Sequence, residues 1–259
     1  MAVDWEKVQR ALSPIKDYED LAGRLERSFG YPFVRETFNF TMPQLVEYTH
    51  KSVGGDPKDR YLDYASKLIN ILYELNDAGI ENLLDLHNRA ASREKLKVLA
   101  EESGVAAEDI VSVLKFLVYW FIPGEKYLSG LVRPELTHAA AIQALREQGI
   151  RTNLDLLQRG LTPEGRQEVA KYCSLPLEVV EEWVHRADLS RMPWASKATI
   201  ANIMGAGYGS LDRLAGADPD QLYADFFRYG ESIGKNLKLG NEIENSHRIA
   251  KIVPVVVQE

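Results

Sequence analysis

A thirty-residue segment, Gly79 to Glu108, recurs seventy positions later as Gly149 to Glu178 without a gap, and nine of the thirty positions are identical. The identities are Gly79/Gly149, Ile80/Ile150, Leu84/Leu154, Asp85/Asp155, Leu86/Leu156, Arg89/Arg159, Glu94/Glu164, Ala100/Ala170 and Glu108/Glu178. Self-similarity at a fixed period constrains architecture strongly. Each copy must form the same supersecondary unit, and units this small bury their apolar faces on neighbours. The shared pattern reads as a helix ended by a glycine at positive φ, an apolar residue packing back, a short helix carrying Leu-Asp-Leu, and a capped helix. A third copy begins near Ala195, with Gly207-Tyr208 for Gly-Ile, Leu211 and Leu214 for the leucine pair, and Asp218-Pro219 restarting the helix two residues early.

Apolar residues recur at three and four positions along nearly the whole chain, with almost no sustained alternation of period two, which predicts an all-α fold. The clearest case is Tyr61 to Leu75, where Leu62, Ala65, Leu68, Ile69, Leu72 and Leu75 form one stripe on a helix that Pro57 can open, opposite a wet face of Asp63, Lys67, Asn70 and Glu74. Thr41, Ser92, Thr162 and Asp218 are placed to cap the first turns that follow them. The predicted organisation is an N-terminal helical segment, 1–60, then three helical repeats at 61–132, 133–194 and 195–259, the last ending in a short apolar tail.

The 259 residues carry 31 Lys plus Arg against 38 Asp plus Glu, a net charge of -7. By segment the charge is -1, -4, -1 and -1. No segment has the clustered positive charge that binding to nucleic acid or anionic lipid requires. One cysteine, Cys173, excludes an intramolecular disulfide framework and points to a reducing, cytoplasmic compartment. Met1 to Leu12 carries charges where a secretory signal needs an apolar run, and Ile110 to Ile122 is too short to cross a bilayer.

The stretch Ala187-Asp188-Leu189-Ser190-Arg191-Met192, then Gly207, Leu214 and Asp218-Pro219-Asp220-Gln221-Leu222, resembles the bacterial domain-of-unknown-function family 4332. The resemblance covers roughly 133–257 and extends weakly back to about 61 through the repeat, leaving 1–60 uncovered. It implies tandem helix-hairpin-helix-like (SAM-like) modules, a type also found in DNA-binding proteins, and no biochemical role. A DNA-binding hairpin of this type carries a Gly-x-Gly nest for phosphate. This chain has Pro193-Trp194-Ala195-Ser196 at one such place and Arg133-Pro134-Glu135 at the other, so phosphate binding is not expected.

Four of the five histidines follow a glutamate by three positions: Glu47/His50, Glu135/His138, Glu182/His185 and Glu244/His247. That is the spacing of carboxylate-bridged metal bundles, but units broken this often by glycine and proline favour surface pairs instead. Cys173 aligns with Ser103 at a helix end and reads as structural. Gly205-Ala206-Gly207-Tyr208-Gly209 lacks the preceding strand of a dinucleotide site. No motif for a cofactor or a catalytic constellation is present, so no enzyme activity and no cofactor are expected.

Three consecutive aromatics, Tyr119, Trp120 and Phe121, cannot all face one core. Trp120, and Trp194 with its neighbours Arg191 and Lys197, are the candidate partner-binding residues. The aromatic segment 28–48 is expected to drape over the first repeat or to swap to a second chain. The tail Ile252 to Val257 is expected to dock on the body or on a partner. The functional expectation is therefore a protein-interaction or assembly module, with nucleic-acid binding and Glu-x-x-His metal binding as the alternatives.

Overall fold

The computed structural model describes residues 3–56, 58–132, 136–237 and 240–258. The chain falls into two compact units, Met1–Gly124 and Glu125–Glu259. Sixteen α-helices occur among the described residues and no β-strand, so the fold is all-α as the periodicity predicts. Among the same residues no helix is long and apolar enough to cross a membrane.

The first unit contains α1 (Trp5–Leu12), α2 (Tyr18–Phe29), α3 (Pro32–Thr37), α4 (Met42–Ser52), α5 (Asp59–Asp77), α6 (Leu83–Arg89), α7 (Arg93–Ser103) and α8 (Ala107–Phe116), the last running into a π-helical turn, Leu117–Phe121. Helix α5 buries Ala65, Leu68, Ile69, Ile71, Leu72 and Leu75 against α4 and α8, and exposes the four polar residues of the opposite face. Leu62 departs from the expected stripe and is 42% exposed, because no residue of the first turn as far as Tyr64 is buried. Pro57 lies outside the described residues.

The aromatic segment drapes into the first unit. Phe29, Phe33, Phe38 and Tyr48 are buried, and the rings of Phe38, Phe40 and Tyr48 converge on Phe121 with centroids at 5.4, 4.7 and 4.6 Å. The π-helical turn separates the three aromatics that end this stretch: Phe121 is buried, Tyr119 is 40% exposed, and Trp120 lies between the two extremes.

The second unit contains a 3-10 turn, Leu128–Gly130, then α9 (Leu136–Glu147), α10 (Asn153–Gly160), α11 (Pro163–Cys173), α12 (Leu177–Leu189), α13 (Lys197–Gly205), α14 (Leu211–Ala215), α15 (Pro219–Ser232) and α16 (Gly240–Ala250). Helix α12 sits at its centre, packed on α10, α11 and α14 with Trp183 fully buried.

The same local chemistry recurs at the positions that match in sequence. Gly79, Gly149 and Gly207 close α5, α9 and α13 at φ of +84°, +76° and +100°, a region that costs an L-residue about 1–2 kcal/mol. The following N–H of Ile80, Ile150 and Tyr208 donates back to the carbonyl of Leu75, Leu145 and Ile203 at 3.0, 3.0 and 3.1 Å. This is the Schellman closure, in which the apolar residue after the glycine packs on the last turn. Asn82, Thr152 and Ser210 then cap the short helices, and Ser92, Thr162 and Asp218 cap the helices after them.

Candidate interaction site

Helix α12 ends at Leu189 and α13 begins after its cap Ser196, so Ser190 to Ala195 form the connecting loop, which carries two of the four candidate residues, Arg191 and Trp194. Short-range bonds fold it: Arg191 N–H donates to the Asp188 carbonyl at 3.0 Å, and Ala195 N–H donates to the Met192 carbonyl at 3.2 Å. Met192, Pro193 and Ala195 turn inward, whereas Trp194 is half exposed at φ +53°. A bulky side chain in the left-handed region is unusual, since glycine would occupy the same backbone without strain.

Two cations grip this loop from inside. Lys126 donates from Nζ to the carbonyls of Ser190 at 2.6 Å and Ala195 at 3.1 Å, one at each end of the loop. The fully buried Asn153 positions it, accepting the Lys126 N–H at 2.7 Å and donating to the Ser190 hydroxyl at 3.0 Å. The Ser190 hydroxyl in turn donates to the Ala187 carbonyl at 2.6 Å. Arg191 is 6% exposed, pairs through Nε with Asp188 at 2.7 Å, and donates from Nη1 to the Pro254 carbonyl at 3.0 Å. That last bond fixes the C-terminal segment, which therefore docks on the body.

Burial pushes the Lys126 ammonium down to about 8. An unfolded lysine titrates near 10.4, so below pH 8 both states are protonated and the folded state bears the full cost of a desolvated charge. Between pH 8 and 10.4 the unfolded chain binds a proton that the folded chain does not, and stability rises with pH. We therefore expect the unfolding free energy of the wild type to gain on that of Lys126→Met by as much as about 3 kcal/mol across this window. Urea titrations of both proteins at several pH values check it, and a pH-independent difference would contradict the assignment.

The candidate residues differ in exposure. Trp194 and Lys197 are exposed, Lys197 as the first residue of α13. Arg191 is buried and engaged internally, so it supports the loop rather than presenting itself to a partner. Trp120 belongs to the first unit, where its ring meets Tyr61 edge-on at 6.0 Å and its carbonyl accepts the Tyr48 hydroxyl at 2.8 Å. Sequence reasoning did not single out Lys126, Asn153 or Asp188 for this site. One signal was available: Asn153 stands where the repeat has Leu83, a polar residue at a buried leucine position.

The Glu-x-x-His pairs go separate ways. Glu47 and Glu182 bind basic residues four positions on, Lys51 at 2.6 Å and Arg186 at 2.6 Å. His138 meets Trp183 edge-on at 5.8 Å, and its predicted partner Glu135 lies outside the described residues, as do Arg133 and Pro134. His247 is buried, and burial followed by Lys251 lowers its pKa against the opposing carbonyls of Ala215 and Ala217. The remaining histidine, His87, contacts a carboxylate sixty-one residues away, Glu26 at 2.8 Å. Among the described residues no three His, Cys, Asp or Glu side chains converge on a common point. Cys173 is buried at the end of α11, and that burial raises its thiol pKa, the opposite of nucleophilic activation.

Residues 135–245 match a family model described as a domain of unknown function (DUF4332). The match begins close to the expected boundary at 133, stops short of 257 and does not reach the segment 61–132 that the sequence predicts as a repeat. No curated protein matches the chain. No solved structure matches it.

Proposed function

We propose from the loop between α12 and α13 that this is a non-enzymatic helical-repeat protein of the cytoplasm that works through protein contacts. The helix-hairpin-helix-like arrangement serves in this reading as a frame for display. The observation that carries it is Trp194, a half-exposed indole on a backbone that an L-residue occupies at a cost. The surrounding network holds that backbone in place, and a strained residue kept by its surroundings points to a use for its side chain. Rigid aromatic anchors of this kind dominate binding energy at protein interfaces. Lys197 beside it gives the surface a positive edge suited to an acidic or carbonyl-rich partner.

The test is Trp194→Gly. Relief of left-handed strain, about 1–2 kcal/mol, offsets most of the stabilisation that a half-buried indole contributes, about 2 kcal/mol at 25 cal/mol per Å². Stability should change by less than about 1 kcal/mol, while recovery of the protein's partner in co-purification falls sharply. A loss of about 3 kcal/mol or more, the range for a buried tryptophan, would make Trp194 a packing residue and remove the basis of the proposal.

A further inference from the structure

Asn82, Thr152 and Ser210 occupy matching positions before their short helices and share an extended backbone, with φ of -155°, -120° and -133°. At the first two, an incoming extended segment pairs across the residue as a single antiparallel bridge, Thr41 with Asn82 and Tyr127 with Thr152. In the first unit Leu83 N–H donates to the Phe40 carbonyl at 3.0 Å, and Met42 N–H donates to the Glu81 carbonyl at 3.3 Å. In the second, Asn153 N–H donates to the Lys126 carbonyl at 2.9 Å, and Leu128 N–H donates to the Arg151 carbonyl at 3.1 Å. The equivalent groups at Ser210 are the Leu211 N–H and the Gly209 carbonyl. Neither has a hydrogen-bond partner among the described residues.

A cleft of about 230 Å³ opens beside this unpaired edge, between Leu211 and Ala215 on one side and Val253 to Val255 of the C-terminal segment on the other. The chain's own tail does not fill the edge. Arg191 holds the Pro254 carbonyl and the Gln258 N–H donates to the Leu161 carbonyl at 2.8 Å, so both ends of Val255 to Val257 are tied elsewhere. Two carboxylates and two cations line the cleft, Asp188 paired with Arg191 and, beside them, Asp212 and Lys251, so its lining carries no net charge and suits an uncharged segment.

We propose that the Gly209–Leu211 edge is a docking site for an extended, uncharged segment of a partner protein, bound by two backbone hydrogen bonds with an apolar side chain seated in the cleft. The chemistry of the occupant is read from the two occupied equivalents, where Met42 and Leu128, each next to the bridging residue, are fully buried. This is strand addition reduced to one bridge: main-chain bonds supply affinity and the pocket supplies selection. The site is separate from Trp194 and does not depend on its role.

The probe is a fluorescent peptide reproducing residues 38–44, titrated onto the full-length protein. Saturable binding is expected, weakened at least about tenfold when the amide at the Met42 position is N-methylated, because a lost backbone donor leaves the Gly209 carbonyl unpaired. Ala215→Trp, which fills the cleft, should abolish binding. The N-methyl comparison decides the matter in the wild-type protein even if that variant fails to fold. No binding at about 1 mM peptide, or equal binding of the N-methylated peptide, overturns the proposal. Slow amide exchange at Val255 to Val257 in the free protein would give the edge to the chain's own tail. Self-association lost in Ala215→Trp would give it to a second copy. Either result would remove the partner.

Discussion

Asp188→Ala will destabilise the second unit by about 3–5 kcal/mol, the penalty for leaving one member of a buried ion pair uncompensated. Asp188 and Arg191 are 5% and 6% exposed and bonded at 2.7 Å, so the guanidinium left behind is desolvated without its counter-charge. The double variant Asp188→Ala/Arg191→Met should recover most of the loss, since replacing both members by apolar groups is often neutral. Because Arg191 also holds the Pro254 carbonyl, the single variant should speed exchange of the Gln258 amide, which marks docking of the tail on Leu161. Urea unfolding and hydrogen exchange read these effects. A single variant within about 1 kcal/mol of the wild type would show that water reaches the pair and that it does not brace the loop.

Phe121→Ala should cost the first unit about 3–5 kcal/mol. Its ring is the point on which Phe38, Phe40 and Tyr48 converge, so truncation leaves a cavity that three rigid rings cannot collapse to fill. Tyr119→Ala, two residues away and 40% exposed, should cost less than about 1 kcal/mol. The contrast follows from the π-helical turn, which sends neighbouring aromatics to different environments. Urea unfolding of the two variants measures it, and similar losses would place both rings in the core.

Helices, their caps and the glycine closures were legible in the sequence because they are settled by residues within one or two turns. Thr41, Ser92, Thr162 and Asp218 cap as their chemistry predicts, and Gly79, Gly149 and Gly207 take the left-handed backbone the repeat requires. The loop at Trp194 was legible as a place and not as a mechanism. Its support comes from Lys126 and Asn153, sixty-four and thirty-seven residues distant from Ser190, and no local pattern encodes such pairings. Arg191 illustrates the same limit: its Asp188 partner lies three residues away, but its burial depends on Pro254, sixty-three residues on. The Glu-x-x-His spacing leaves the carboxylate's partner open for a related reason. Proximity along a helix makes a contact available, and in two of the four pairs a basic residue one position further captures the carboxylate.

The most direct test of a display role for this loop is a photo-crosslinking benzophenone side chain placed at position 194 in the full-length protein, irradiated in the cells that make it. The account predicts a discrete covalent adduct whose mass identifies one protein partner, absent when the same group replaces Tyr172, which is 67% exposed on the same unit. No adduct at position 194, or an indistinguishable pattern at both positions, would contradict it.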